Sequence, residues 1–178
     1  GLGFSTADRL IIQASVQQAN FLGSGQSVAF QLVSGTINKV ASLSLTDPYY
    51  TEDGVSRGFD VYRRDVNATS LGVGNYKTSS MGAGVRYGIP FTEYDTLLFG
   101  LAVDQTALSL SANSPQRYLK FENDFGSSYA VLIGTSGWIR DSRNSALWPT
   151  SGRLQRANLE LAEAGLEYYK ATYQHQWF

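Results

Sequence analysis

Residues 81–89 alternate without a break: Met81, Ala83, Val85, Tyr87 and Ile89 share one side of a period of two, and Gly82, Gly84, Arg86 and Gly88 share the other. That period belongs to a strand, whose successive side chains point to opposite faces. A soluble sheet more often buries its bulk and exposes long polar chains. Here glycine and arginine share the polar face, as in a sheet that lines a polar lumen. The pattern recurs in Leu97, Phe99, Leu101 and Val103 against Gly100, Ala102 and Asp104, and in Leu10, Ile12, Ala14 and Val16 against Gln13, Ser15 and Gln17. No stretch approaches the roughly twenty apolar residues that a transmembrane helix needs. A transmembrane strand needs only about nine to eleven residues, every second one apolar. A mean hydropathy of -0.19 averages that signal away.

Read in order, the chain predicts a short or incomplete strand over residues 1–6, reversing at Ala7-Asp8-Arg9, and a strand through Val16. After a turn at Gly23-Ser24-Gly25 come Val28, Phe30 and Leu32, then a reversal near Gly35 and the alternation of Ala41, Leu43 and Leu45. Asp53-Gly54 opens a strand carrying Phe59 and Val61 against Asp60 and Arg64. The polar stretches 67–80 and 112–128 are expected to be long loops, a type that is usually functional or mobile. A short reversal near Ala164-Gly165 precedes Tyr169, Ala171, Tyr173 and Trp177. Roughly ten strands in sequence, with no linker-like composition between them, predict an all-β chain forming a single domain over residues 1–178.

Composition narrows the chemistry. The 178 residues suffice for a sizeable core, and with 43% hydrophobic and 16% charged residues the chain is not a disordered tail. The net charge is -1 with scattered lysines and arginines, which predicts no nucleic-acid partner. With no cysteine and one histidine, thiolate zinc sites and cysteine nucleophiles are excluded. His175 lacks an accompanying nucleophile motif and reads as a strand residue near an aromatic belt. The third glycine of Gly82-Ala83-Gly84-Val85-Arg86-Tyr87-Gly88 falls one place too late for a nucleotide loop, and no helix is expected after it. Asp60, Asp65, Asp104, Asp141, Glu160 and Glu163 are spread over several strands, and with Arg64, Arg86 and Arg140 they predict lumenal ion pairs. No catalytic residue, metal site or cofactor is expected.

The stretch from Tyr129 to Ala162 organises the remainder. A strand reaching Trp138 leads into Arg140-Asp141-Ser142-Arg143-Asn144-Ser145-Ala146-Leu147-Trp148-Pro149-Thr150-Ser151-Gly152-Arg153, after which extended patterning resumes. Pro149 presets φ, Gly152 can take positive φ, and Asn144 and Ser145 can close local turns onto the backbone. Trp138 and Trp148 flank the reversal as aromatics flank strand ends at a membrane interface.

This turn, with Asp141, Arg143, Asn144, Pro149 and Gly152 in order, resembles a turn in the barrel of the BamA family of outer-membrane assembly proteins. Residues 20–25 and 47–58 resemble the first two periplasmic turns of the same barrel, in the family's order. The resemblance covers nearly the whole chain but only the front part of a barrel of about sixteen strands. It implies a transmembrane antiparallel up-and-down β-barrel, incomplete here at about ten strands, integral to the outer membrane of a Gram-negative cell. It further implies a cofactor-free, non-enzymatic activity, the folding and insertion of β-barrel proteins at a lateral seam. The partners implied are membrane lipid, nascent outer-membrane β-barrel proteins, and assembly-complex lipoproteins reached through domains outside this chain. By position, Gly1, Leu2, Gly3, Phe4, Ser5 and Thr6 would form the substrate-facing seam strand. Gly1 and Gly3, without side chains for cross-strand packing, would weaken any permanent pairing there. The chain is expected to start inside a longer precursor and to break off at Phe178. A secretion pore or passive channel on a related barrel, and a soluble β-sandwich, are the alternatives.

Overall fold

The structure, a computed structural model, describes every residue except 6–8, 72–74 and 112, with backbone alone at Ser5, Arg9 and Leu71. The elements are β1 (Leu2–Ser5), β2 (Arg9–Gln18), β3 (Ser27–Ser34), β4 (Asn38–Asp47), β5 (Ser56–Asn67), β6 (Tyr76–Pro90), β7 (Asp95–Leu110), α1 (Gln116–Phe125), β8 (Ser128–Asp141), β9 (Arg153–Ala164) and β10 (Tyr168–Trp177). All ten strands form one antiparallel sheet in sequence order, the up-and-down topology expected from consecutive hairpins. β1 and β10 are its two edges and are not paired with each other, so the sheet is open.

The register carries the stagger of a barrel. From Tyr168 at the start of β10, successive ladder partners are Ala162, Ile133, Ala102, Gly84, Asp60, Ser44, Ala29 and Gln17. β10 and β2 run in the same direction, yet the line enters at the first residue of one and leaves beside the last residue of the other. Strands offset in this way must tilt against the axis about which the sheet curls.

Directly paired residues share a face, so that line also samples one surface, the lumenal side, whose members apart from Tyr168 and Ile133 are small or polar. The neighbouring line of the opposite face reads Val16, Phe30, Leu43, Val61, Ala83, Val103 and Leu132. Its large members remain exposed, from 41% at Leu132 to 66% at Val16. A continuous apolar band of this kind is stable against lipid tails and a liability against water. The sizeable core expected from chain length is not what forms: among the described residues no large side chain is fully buried. A single-layer sheet has no second layer to bury against, and its outer face is left for the bilayer.

Two expected loops are shorter than the sequence pattern suggests. β6 begins at Tyr76, with Lys77, Thr78, Ser79 and Ser80 paired to Asn67, Val66, Asp65 and Arg64. The 15 residues of β6 and 16 of β7 exceed the roughly nine to eleven that span a bilayer. Beyond the lipid both faces are wetted, so the alternation stops while the ladder continues. In the second loop, Gln116–Phe125 is helical. Its aromatic side chains pack four apart and onto strands: Phe121 on Phe125 (4.8 Å) and Tyr129 (5.6 Å), Tyr118 on Tyr76 (4.5 Å). Gly126, at φ 84°, ends the helix, its N–H donating to Glu122 O.

Candidate functional site

Two features combine sequence expectation with distinctive geometry, the β1 edge and the turn between β8 and β9. Six strands separate them in the sheet, so they are distinct sites.

At the edge, Gly1 and Gln13 exchange both backbone bonds: the Gly1 amino group donates to Gln13 O at 2.6 Å, and Gln13 N–H to Gly1 O at 2.9 Å. In an antiparallel ladder such pairs alternate with pairs whose backbone groups point away. The register Leu2↔Ile12, Gly3↔Ile11, Phe4↔Leu10 therefore turns Gly3 toward β2 and turns the N–H and C=O of Leu2 and Phe4 outward at the free edge. Leu2 and Phe4 are 80% and 81% exposed. Thr6, expected at the end of this segment, lies outside the described residues.

The outward sites at Leu2 and Phe4 escaped the sequence reading because alternation reports side-chain faces and says nothing about in-plane hydrogen bonds.

At the turn, Asn144 acts as the central bracket. Its Oδ1 accepts from Thr150 N–H (3.0 Å) and Ser151 N–H (3.2 Å), and its Nδ2 donates to Thr150 Oγ1 (2.8 Å). Ser145 Oγ accepts from Trp148 N–H at 3.2 Å. Asp141 receives Arg143 at both oxygens, Nε at 2.9 Å and Nη2 at 2.7 Å, a fork that raises the Arg143 pKa above its ordinary value and keeps it charged. Asp141 N–H donates to Tyr94 O at 2.8 Å, tying this turn to the neighbouring one at 91–94. Gly152 adopts φ +102°, and a Cβ there would collide with the Ser142 carbonyl oxygen, so both conformation and space require glycine. Pro149 sits half-buried between the exposed Trp148 and Thr150.

Lumenal ion pairing is partly as expected. Arg86 pairs with Asp60 and donates to Ser44 Oγ (3.3 Å) and Thr46 Oγ1 (3.0 Å), while Ser44 donates to Asp60 at 2.7 Å. Asp65, paired with Arg63, and Glu163 lie on the outer face by register and depart from the expectation, and so does Arg140. It sits on the outer face opposite Asp95, with Nη1 3.3 Å from Asp95 Oδ2, and Trp138 Nε1 donates to Asp95 Oδ1 at 3.0 Å. At the end of a strand an outward arginine reaches the interfacial zone instead of the hydrocarbon, so parity places it outside at tolerable cost. Trp138 lies on the same outer face. His175 lies between Tyr173 and Trp177, at 6.4 and 6.2 Å, within that aromatic zone.

Comparison with known proteins agrees with this geometry. The profile of the Omp85 superfamily domain matches residues 20–178. The chain is 39% identical over 181 residues to the outer membrane protein assembly factor BamA of Neisseria meningitidis, covering 95% of this chain and 23% of that protein. Its fold superposes on the crystal structure of BamA from Haemophilus ducreyi lacking POTRA domains 1–3, with TM-score 0.73 and 26% identity over 96% of this chain and 35% of that one. The chain thus spans about a quarter of the curated relative's length.

Proposed function

Because the chain belongs to the Omp85 superfamily and is a BamA homologue integral to the outer membrane, we propose that it supplies the seam side of a barrel that folds and inserts other β-barrel proteins. In this reading Gly1, Leu2, Gly3, Phe4, Ser5 and Thr6 are the templating strand. The observation that carries it is the pair of outward backbone sites at Leu2 and Phe4 on an edge strand of the sheet. Unpaired N–H and C=O groups cost several kcal/mol in lipid, so an incoming strand that pairs with them is held at the edge. Gly1 and Gly3, without side chains for cross-strand packing, let that edge yield and re-form. No bond is made or broken in a substrate; the work is exchange of hydrogen-bond partners.

The bracketed turn at Asp141, Arg143, Asn144, Pro149 and Gly152 has a structural role, holding the far hairpin rigid while the edge moves. Membrane lipid and nascent β-barrel proteins are the partners, with assembly lipoproteins engaged through other parts of the complete protein. Cysteines at residues 2 and 4 of the complete protein should crosslink to the terminal strand of a stalled client barrel. Crosslinks confined to other strands would reject β1 as the templating edge.

A further inference from the structure

The outer face of β3 to β7 contains an apolar depression of about 540 Å³. Its floor is formed where Ala41 and Ala83 stand among Leu43, Val61, Met81 and Val103. One position further along β5, away from the 142–152 turn, Arg63 borders this depression and also a second, polar one of about 380 Å³. Lys39, Asp65, Lys77 and Ser79 line the second. Ladder pairing fixes the arrangement, with Lys39 opposite Asp65, Asp65 opposite Ser79, and Lys77 opposite Asn67 one step beyond.

The charges do not cancel. Asp65 is taken up by Arg63 Nε at 3.3 Å and by the Ser79 hydroxyl at 2.5 Å. Among the described residues, Lys39 and Lys77 form no ion pair, and both are exposed. Three cations against one carboxylate leave two positive charges in excess, directly above an apolar hollow. Solvated surface lysines would account for the charges alone but not for the hollow beneath them. Arg63 joins the two, since its aliphatic stem can lie along apolar surface while its head stays at the polar rim.

The geometry points to a binding site for a lipid bearing a phosphomonoester, with the phosphate between Lys39 and Lys77 beside Arg63 and an acyl chain in the depression over Ala41 and Ala83. A phosphomonoester carries about -1.5 to -2 charges near neutral pH, which matches the two excess cations better than a singly charged diester does. Charge-assisted bonds from ammonium groups to phosphate oxygens are the strong kind. The inference rests on the outer face being lipid-facing, as proposed above, and does not depend on which edge templates clients.

The test is native mass spectrometry of the complete barrel protein titrated with bis-phosphorylated lipid A, with phosphatidylcholine, and with inorganic phosphate alone. Lipid A should bind more tightly than either control. Lys39→Gln combined with Lys77→Gln should weaken lipid A about 30-fold, taking about fivefold for each basic residue at an anionic lipid surface. If the double variant lacks heat-modifiable migration, each single variant should show about the fivefold loss. Ala83→Phe fills the hollow and should weaken lipid A while leaving the affinity for inorganic phosphate unchanged. Equal binding of lipid A and phosphatidylcholine, undiminished lipid A binding in the lysine variants, or inorganic phosphate binding as tightly as lipid A would overturn the site. Client insertion into vesicles lacking lipid A separates the two claims. Insertion retained without lipid selectivity removes only the lipid site, whereas selectivity without insertion removes only the assembly reading.

Discussion

Proline placed at successive positions of β1 should have opposite consequences at adjacent residues. Leu2 and Phe4 direct their N–H groups to the free edge, while Gly3 directs its own toward β2. Proline removes the donor wherever it stands. At Leu2 or Phe4 the lost bond is one to the incoming strand, worth about 0.5–1.5 kcal/mol net, and the client carbonyl left unpaired away from water adds about 1–3 kcal/mol. A single substitution should therefore weaken client capture by about 2–4 kcal/mol, or roughly 30- to 1000-fold in edge occupancy. Gly3→Pro instead cuts β1 away from Ile11, so its first effect should be a lower thermal midpoint of the barrel. Phe4→Ala keeps the donor and should capture clients nearly as the parent does. The assay is assembly of a client barrel by the complete protein in vesicles, scored by protease-resistant client, with heat-modifiable migration of the assembling protein as the folding control. Folded Leu2→Pro and Phe4→Pro proteins that assemble clients at the parent rate would refute the outward-donor argument.

Three further perturbations probe the face assignment, the turn and the helix. Val85→Arg places a charge in the outer apolar band and should cost about 2–4 kcal/mol near the midplane, whereas lumenal Arg86→Lys, in a half-exposed pair, should cost under about 1 kcal/mol; equal losses in urea unfolding would reject the faces. Asn144→Ala removes three bonds from the turn and should destabilise it by about 1–3 kcal/mol, and Gly152→Ala by at least about as much because backbone must shift; unchanged hydrogen exchange at residues 142–152 in both variants would contradict the bracket. Phe121→Ala should free α1 from Tyr129 and raise proteolysis within 113–127 with no change in the barrel's thermal midpoint; a matching drop in midpoint would show that α1 supports the sheet.

The amino-acid sequence alone determined the number of strands, their two unlike faces and the chemistry of the turns, because each is written in local terms. Alternation at 81–89 needs only the pleat, and the turn at 141–153 needs only an Asn side chain, a proline and a glycine placed at the reversal. The family resemblance followed from those same turn residues. What the tertiary structure decided concerns which neighbour each group meets. The strand pattern over 76–80 vanished from the sequence because alternation records a difference in solvent between two faces, and beyond the bilayer that difference is gone while the hydrogen-bond ladder persists. α1 was hidden because Tyr118, Phe121 and Phe125 make an apolar stripe only when Tyr76 and Tyr129 are brought beneath it. Arg140 was read as lumenal from its charge, but strand parity set it outward, where Asp95 across the ladder and the interfacial position make it tolerable. The outward donors of Leu2 and Phe4 lie in the plane of the sheet. Side-chain identity carries no record of that plane, and only the register between β1, β2 and β3 assigns it.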